Sequence, residues 1–466
     1  MMKEDTIVAI ATPPGRGGIG VVRLSGGQAV EITSQLVRPA RIPIEVQRST
    51  LGKFIDPQNK KILDEVVVTF YRRPHSYTGE DVVEISCHGS PVILRHLVQC
   101  CLDRGARAAE PGEFAMRAFL NGRIDLTQAE AIQDLVDSRT LYQARVAATQ
   151  LGGSLSARLK PHKLALLDLI ARLEAGIDFA DDDIDVMEWA DLLGHLDSAR
   201  DDLEKMVRGF AYGRIVREGL SLSVVGRPNV GKSSLFNRLL NTDRAIVTEI
   251  PGTTRDLVTE TASINGIPLH LVDTAGIRTT ADAVEKIGVE RTHQAMADSD
   301  LRLLVVDTSQ DWSDEDSDLL HKTRRMGSML VVTNKADLPE RTSRSAIEQA
   351  ILAEDGGASG PAEIVVTSAL TGQGIEELRE KIMQAVGTGN DPGVEGELVT
   401  NLRHQQLLQE SLTALERCRQ AAGERMHHEM LLLDLYDALR PLDALTGATD
   451  VEDILGMIFS RFCIGK

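Results

Sequence analysis

Residues 226–233 read Gly-Arg-Pro-Asn-Val-Gly-Lys-Ser (GRPNVGKS), and this octapeptide decides the fold of the middle of the chain. Gly226, Gly231, Lys232 and Ser233 have the spacing of a P-loop. The apolar strand candidate LSLSVV (220–225) leads into it and the helix candidate SLFNRLL (234–240) follows, so strand, glycine-rich turn and helix stand in the order of an α/β unit. In such a unit the backbone N–H groups of Asn229, Val230, Gly231, Lys232, Ser233 and Ser234 face phosphate at a helix N-terminus. Lys232 offsets the phosphate charge, and the Ser233 hydroxyl is a ligand for magnesium.

Three more stretches follow at the ends of strand-like runs. HLVDTAG ends in Asp273, Thr274, Ala275 and Gly276, suited to hold magnesium through water and to sense a γ-phosphate. LVVTNKAD ends in Asn334, Lys335 and Asp337, and the Asp337 carboxylate can accept two hydrogen bonds from guanine N1–H and N2–H₂, donors that adenine lacks. VTSAL offers the backbone of Ser368 and Ala369 to guanine O6. With GTTRD (252–256), whose Thr254 is a second magnesium ligand candidate, these resemble the five G motifs of small GTPases. One departure is informative. Many switch GTPases have a glutamine after D-T-A-G to orient water and use an arginine finger worth ~10³–10⁵ in rate; here the position is Ile277. Asn229, with carbonyls of VTEIPGTT (247–254), is a candidate for holding a monovalent cation that neutralises the same charge. Glu285, in VEKIGVER, is a candidate for orienting water. The plainer alternatives are a turn residue for Asn229 and a surface charge for Glu285.

At 466 residues the chain should hold two to four domains at roughly 100–200 residues each. Hydrophobic residues at 42% and charged ones at 26% fit a globular protein. Aromatic residues at 3% argue against a surface that binds single strands by base stacking, and the net charge of -18 repels a polyanion unless basic groups are gathered or a partner supplies them. Five sparse cysteines without C-x-x-C spacing read as reduced thiols. No apolar run reaches the ~18 residues that span a bilayer, and the first residues lack a signal-peptide pattern.

Working outward, residues 1–122 alternate strand-like runs with turns (TIVAIA, IGVVRLSG, EVVVTFYR, DVVEIS) and read as an α+β domain. GRGGIG (15–20) formally matches a dinucleotide fingerprint but runs into a strand, so it is read as a hairpin turn. Residues 123–217 read as helical, with Thr127 to Glu130 at capping-box spacing and a stripe of Leu166, Leu169, Ile170, Leu173 and Ile177. The acidic run DFADDDID (178–185) reads as a solvated loop, with metal ligation the alternative. The α/β pattern occupies 218–383, the polar GTGNDPGVEGE (387–397) is a linker, and 384–466 returns to helix through Leu407, Leu408, Leu412, Leu415 and LLLDLYDAL (431–439). Helices on both sides predict that the α/β unit is inserted into one helical domain. Thr449 to Glu452 again has capping-box spacing ahead of an apolar face from Val451 to Phe462, which would carry Cys463 to a fixed place.

From end to end the chain resembles the tRNA-modifying GTPase family MnmE, also called TrmE. The stretches that carry the resemblance are DTIVAIATPPGRGGIGVVRLSG, SYTGEDVVEISCHG, PGEFAMRAFLNGRIDLTQAEAI, GRPNVGKSSLFN, IPGTTRD, DTAGIR, EKIGVER and the terminal FCIGK. The resemblance implies an N-terminal domain that forms the homodimer and binds a tetrahydrofolate derivative, 5-formyl- or 5,10-methylene-tetrahydrofolate, through Arg23, Glu80, Arg123 and Lys466. Arg123 stands where some relatives would carry Lys. The resemblance also implies a P-loop (Ras-like) G domain inserted in the helical domain, which binds GTP through the residues above and through Thr248, Glu249, Ile250, Pro251, Gly252 and Thr253. Potassium would be held by Asn229, Thr248, Ile250 and Thr253, and magnesium by Ser233 and Thr254, with Glu285 positioning the attacking water. A cytoplasmic complex with the FAD-using partner MnmG is implied, a heterotetramer that modifies C5 of the wobble uridine of certain tRNAs. Cys463 is then a candidate nucleophile, with burial as a small hydrophobe its alternative. The rival reading is a regulatory GTPase of ribosome assembly without modification chemistry. It leaves the folate-like N-terminal stretch and the terminal cysteine without a role.

Overall fold

The computed structural model describes residues 5–41, 45–178, 189–240, 262–272, 298–354, 363–388, 398–447 and Gly465, and every structural statement below concerns these. Strands β1 (Ile7–Ile10), β2 (Gly17–Ser25), β3 (Val37–Pro39), β4 (Thr50–Ile55), β5 (Ile62–Tyr71), β6 (Val82–Gly89) and β7 (Arg107–Ala108) form one sheet in the order β3-β4-β5-β6-β2-β1-β7. β1 and β2 pair antiparallel with Ile7 opposite Ser25, and the connection is residues 11–16, so of GRGGIG only Gly15 and Arg16 lie in the hairpin loop while Gly17–Gly20 already belong to β2, where they pair with β6. Burial alternates along β4 and β5, the period-2 signature of strands with one face in the core. Helices Ala29–Leu36 and Pro91–Leu102 cover that face, where Val8, Leu24, Ile85 and Leu97 are buried.

Helices Leu126–Asp137, Leu141–Leu151, Ser154–Asp178, Trp189–Arg208 and Phe210–Glu218 precede the α/β unit, and Leu402–Gly423 and His428–Thr446 follow it. Leu159, Leu166, Leu169, Ile170, Leu173, Leu196 and Leu203 from the first set share one core with Leu408, Leu412, Leu415, Leu435 and Leu442 from the second. Neither set would bury its apolar stripe alone, which is the physical content of an insertion.

One expectation is corrected. The helix at 126 is capped by Asp125, not Thr127. The Asp125 carboxylate accepts the Gln128 backbone N–H at 2.8 Å, and Gln128 Oε1 accepts from the Asp125 N–H at 2.9 Å, a capping box two residues upstream of the expected one. A carboxylate at the first position outcompetes a hydroxyl two residues on, and Glu130 is engaged elsewhere. The terminal segment 448–464 and residues 179–188, which include all of the acidic run after Asp178, lie outside the described residues.

The α/β unit holds β8 (Leu220–Val225), β9 (Ser263–Ile264), β10 (Ile267–Val272), β11 (Leu301–Asp307), β12 (Met329–Asn334) and β13 (Ile364–Val366) in the order β13-β12-β11-β8-β10-β9. All pairs are parallel except the β9–β10 hairpin. β11 is buried along its whole length, as a central strand covered on both faces must be. The carboxyl ends of β8, β11 and β12 therefore open on one edge of the sheet, where such folds bind ligands.

Candidate functional site

The P-loop leaves β8 at Gly226, whose φ of 152° no β-carbon would tolerate well, and enters helix Lys232–Leu240. Asn229 (φ 62°) and Gly231 (φ 99°) adopt left-handed backbone, which turns the loop around the space where phosphates bind. Lys232 Nζ donates to the carbonyls of Gly226 and Arg227 at 2.7 and 2.8 Å, so the ammonium is tethered across the loop. Asn334, at the end of β12, ties the loop to the base-recognition side. Its Nδ2 donates to the Val230 carbonyl at 2.9 Å, and its Oδ1 accepts the Ala369 N–H at 3.0 Å. Ser368 donates its hydroxyl to Asp337 Oδ1 at 2.5 Å, leaving the second carboxylate oxygen and the remaining lone pairs to meet a base edge.

Of the residues expected here from sequence, Asn229, Val230, Gly231, Lys232, Ser233, Ser234, Asn334, Lys335, Asp337, Ser368 and Ala369 thus lie along one continuous edge. Thr248, Glu249, Ile250, Pro251, Gly252, Thr253, Thr254, Asp273, Thr274, Ala275, Gly276 and Glu285 lie outside the described residues, although β10 ends one residue before Asp273. Of the residues expected to hold ions, Asn229 and Ser233 are among the described ones. Ser233 places a hydroxyl at the start of a helix, and the Asn229 amide sits on the turn beside it.

A second cluster forms in the N-terminal domain. Arg23 on β2 pairs with Glu84 of β6 at 2.7 Å, and its guanidinium carbon lies 5.5 Å from the Tyr77 ring centroid and 5.7 Å from that of Phe114. Arg23 Nη1 donates to the Gly465 carbonyl at 3.5 Å, so the residue before Lys466 reaches this site. Gly465 is buried with φ 100°, and a β-carbon there would come within 2.4 Å of the Ile10 carbonyl oxygen. Glu80 accepts from the Ser25 hydroxyl at 2.6 Å and from Arg117 at 3.1 Å. Gly79 packs so closely that a β-carbon would meet Asn121 Cβ at 2.9 Å and Arg123 Cγ at 3.4 Å, which sets Arg123 beside the Glu80 turn. Arg123 therefore stands at the Gly79–Glu80 turn, and Arg23 meets Tyr77, three residues before Glu80; Lys466 and Cys463 lie outside the described residues.

Sequence reading missed what supports Glu80. Arg117 also pairs with Asp5 at 2.6 Å and with Glu113 at 2.9 Å, and Arg107 joins the same two carboxylates. Burial alone would raise the Glu113 carboxyl, but Arg107, the Glu110 N–H and Arg117 outweigh it and hold it below the usual range. Glu113 and Arg117 stand at i, i+4 on one short helix, a spacing visible in the sequence, whereas Asp5 and Glu80 join them only through the fold. Cys87, Cys100, Cys101 and Cys418 are buried free thiols, and burial pushes the Cys101 and Cys418 thiols up to about 12. Among the described residues, the cysteines are thus packing groups that stay protonated.

Residues 6–123 match the family described as GTP-binding protein TrmE N-terminus, and residues 126–463 match the MnmE helical domain. A tRNA modification GTPase MnmE of Koribacter versatilis (strain Ellin345) is 54% identical over 468 residues, covering 100% of both chains. The protein of the same name from Aquifex aeolicus (strain VF5) is 42% identical over 464 residues, covering 99% of this chain and 100% of its own. That from Acetivibrio thermocellus is 40% identical over 470 residues, with 100% of both chains covered.

Proposed function

This chain belongs to the MnmE (TrmE) family and is a GTPase of tRNA modification, and from that premise we propose a potassium-dependent hydrolase activated when the G domains of a homodimer meet. With MnmG, which carries FAD, it adds a carboxymethylaminomethyl-type group to C5 of uridine 34 of certain tRNAs in the cytoplasm. A tetrahydrofolate derivative supplies the one-carbon unit. The observation that carries the reading is the unbroken likeness to relatives over 100% of the chain, because a switch GTPase would share only the P-loop unit. In support, the N-terminal cluster presents a carboxylate, Glu80, for the amino-pyrimidine edge of a pterin, flanked by Arg23, Arg123 and the end of the chain. The core shared between residues 155–206 and 399–445 supports a helical domain interrupted by the α/β unit, for which the boundaries 122/123, 217/218 and 383/384 are proposed.

The chain's own residues then divide the work. Asp337 with Ser368 and Ala369 selects guanine, and the P-loop amides with Lys232 hold the phosphates. Potassium, held by Asn229 with Thr248, Ile250 and Thr253, and magnesium, at Ser233 and Thr254, would supply the positive charge that an arginine finger supplies elsewhere. Glu285 orients the attacking water, and Cys463 is the proposed thiol of the uridine chemistry.

Two outcomes test this. GTP turnover should be at least ~10-fold faster in potassium than in sodium and should rise with protein concentration; equal rates in both salts at all concentrations would remove the potassium-dimer mechanism. Nucleosides from tRNA of cells lacking the protein should lose the modified wobble uridine in mass spectra. An unchanged nucleoside profile refutes the modification reading and favours a regulatory GTPase.

A further inference from the structure

Asp307 closes β11 and stands opposite Asn334 across the β11–β12 ladder, fully buried. Its carboxylate accepts from Lys335 Nζ at 2.6 Å, from the Ser309 N–H at 3.0 Å and hydroxyl at 2.6 Å, and from Gln310 Nε2 at 3.0 Å. Lys335 is the charged member of that set. Burial would raise the Asp307 carboxyl, but the Lys335 ammonium and the Ser309 donors outweigh it and hold it below the usual range, so it is ionised at neutral pH. A buried carboxylate with one cationic partner fixes that partner firmly, because separating the two strands a charge away from water.

Lys335 sits between Asn334, which ties the P-loop to Ala369, and Asp337, which meets the base edge. Its backbone is left-handed, with φ 67°. The lysine that serves the phosphates is Lys232, already on the P-loop, so the Lys335 charge is engaged with Asp307 and what remains for a nucleotide is its methylene stem. We propose that Asp307 is a positioning residue for guanine-nucleotide binding: by anchoring the Lys335 ammonium it holds the lysine stem as an apolar flank to the purine ring beside Asp337.

The test is a double-mutant cycle read by equilibrium binding of GTP and ITP to the full-length protein. Asp307→Asn keeps the size of the side chain and an oxygen for Ser309. It should weaken GTP and ITP by the same ~10-fold, since a flank on the ring face does not read the 2-amino group. In a Lys335→Met background the same substitution should change GTP affinity by less than about twofold. An equal loss in both backgrounds, or no loss in the wild-type background, overturns the proposal, because a merely structural aspartate would act regardless of Lys335. Thermal midpoints give a second readout should Asp307→Asn alone fold poorly. Lys335→Met should lower the midpoint by leaving the Asp307 carboxylate without its counter-charge, and adding Asp307→Asn should restore it; a midpoint that falls further overturns the pairing.

Discussion

Gly231→Ala should abolish GTP binding at micromolar nucleotide while leaving the protein folded. A β-carbon built on Gly231 comes within 2.3 Å of Asn334 Nδ2, closer than any real contact, and φ there is 99°. Left-handed backbone of this kind costs a non-glycine residue ~1–3 kcal/mol. Moving Asn334 aside also breaks its hydrogen bonds to the Val230 carbonyl and the Ala369 N–H, at ~1 kcal/mol each. Together this is about 3–5 kcal/mol directed at the two halves of the nucleotide site, or a loss of affinity of ~10²–10⁴. Fluorescence titration with a labelled GTP analogue checks it, with the thermal midpoint as control. An affinity within about threefold of wild type would show that the loop and Asn334 are not coupled as described. The expectation differs from that for Lys232→Ala, which removes charge but leaves the loop and Asn334 in place.

That coupling also shows what the sequence carried and what it did not. The P-loop was legible because the backbone path around phosphate demands glycine at fixed spacing, and the base-edge carboxylate was legible because guanine chemistry demands Asp337. The inserted arrangement was legible too, since helical stripes on both sides of the α/β pattern had to meet. Asp307 and Arg117 were not. Each is an ordinary charged residue in a strand end or short helix, and it gains its role only when the fold brings Lys335, or Asp5 and Glu80, against it. The cap at Asp125 was missed for a related reason. Spacing alone permitted Thr127 with Glu130, and only the tertiary partners of Glu130 reveal that this glutamate serves another element.

Those partners make Glu130 the strongest structural prediction. Glu130, on helix Leu126–Asp137, is nine-tenths buried and accepts from Arg403 at 2.9 and 3.0 Å and contacts His404 Nε2. Arg403 in turn donates to the Ala444 carbonyl at 3.2 Å in the last turn of helix His428–Thr446. One carboxylate thus joins a helix before the inserted unit to both helices after it, between residues 273 positions apart in sequence. Glu130→Ala leaves the half-buried Arg403 guanidinium without its counter-charge and the buried His404 without its hydrogen-bond partner, and should cost about 3–5 kcal/mol, seen as a lower urea midpoint of the helical circular dichroism signal at pH 7.

The pH dependence gives the sign. Burial would raise the Glu130 carboxyl, but His404 and Arg403 bring it from the ordinary 4.5 to about 2. The unfolded chain therefore binds the proton more readily, so this contribution, about 3 kcal/mol, is fully present above pH ~4.5 and disappears as pH falls toward 2. Wild type should lose stability steeply across that window, and Glu130→Gln should start lower and lose less of it. Superimposable acid limbs for the two proteins would show that the carboxylate is not held by its partners. Because Glu130 lies in the helical frame and the nucleotide contacts lie on the sheet edge, Glu130→Gln should leave GTP affinity within about threefold of wild type. A stability loss without a binding loss is what an insertion clamped at its base predicts, since the α/β unit carries a core of Val225, Leu304, Val306, Leu320 and Val331 to which the helical frame contributes no residue.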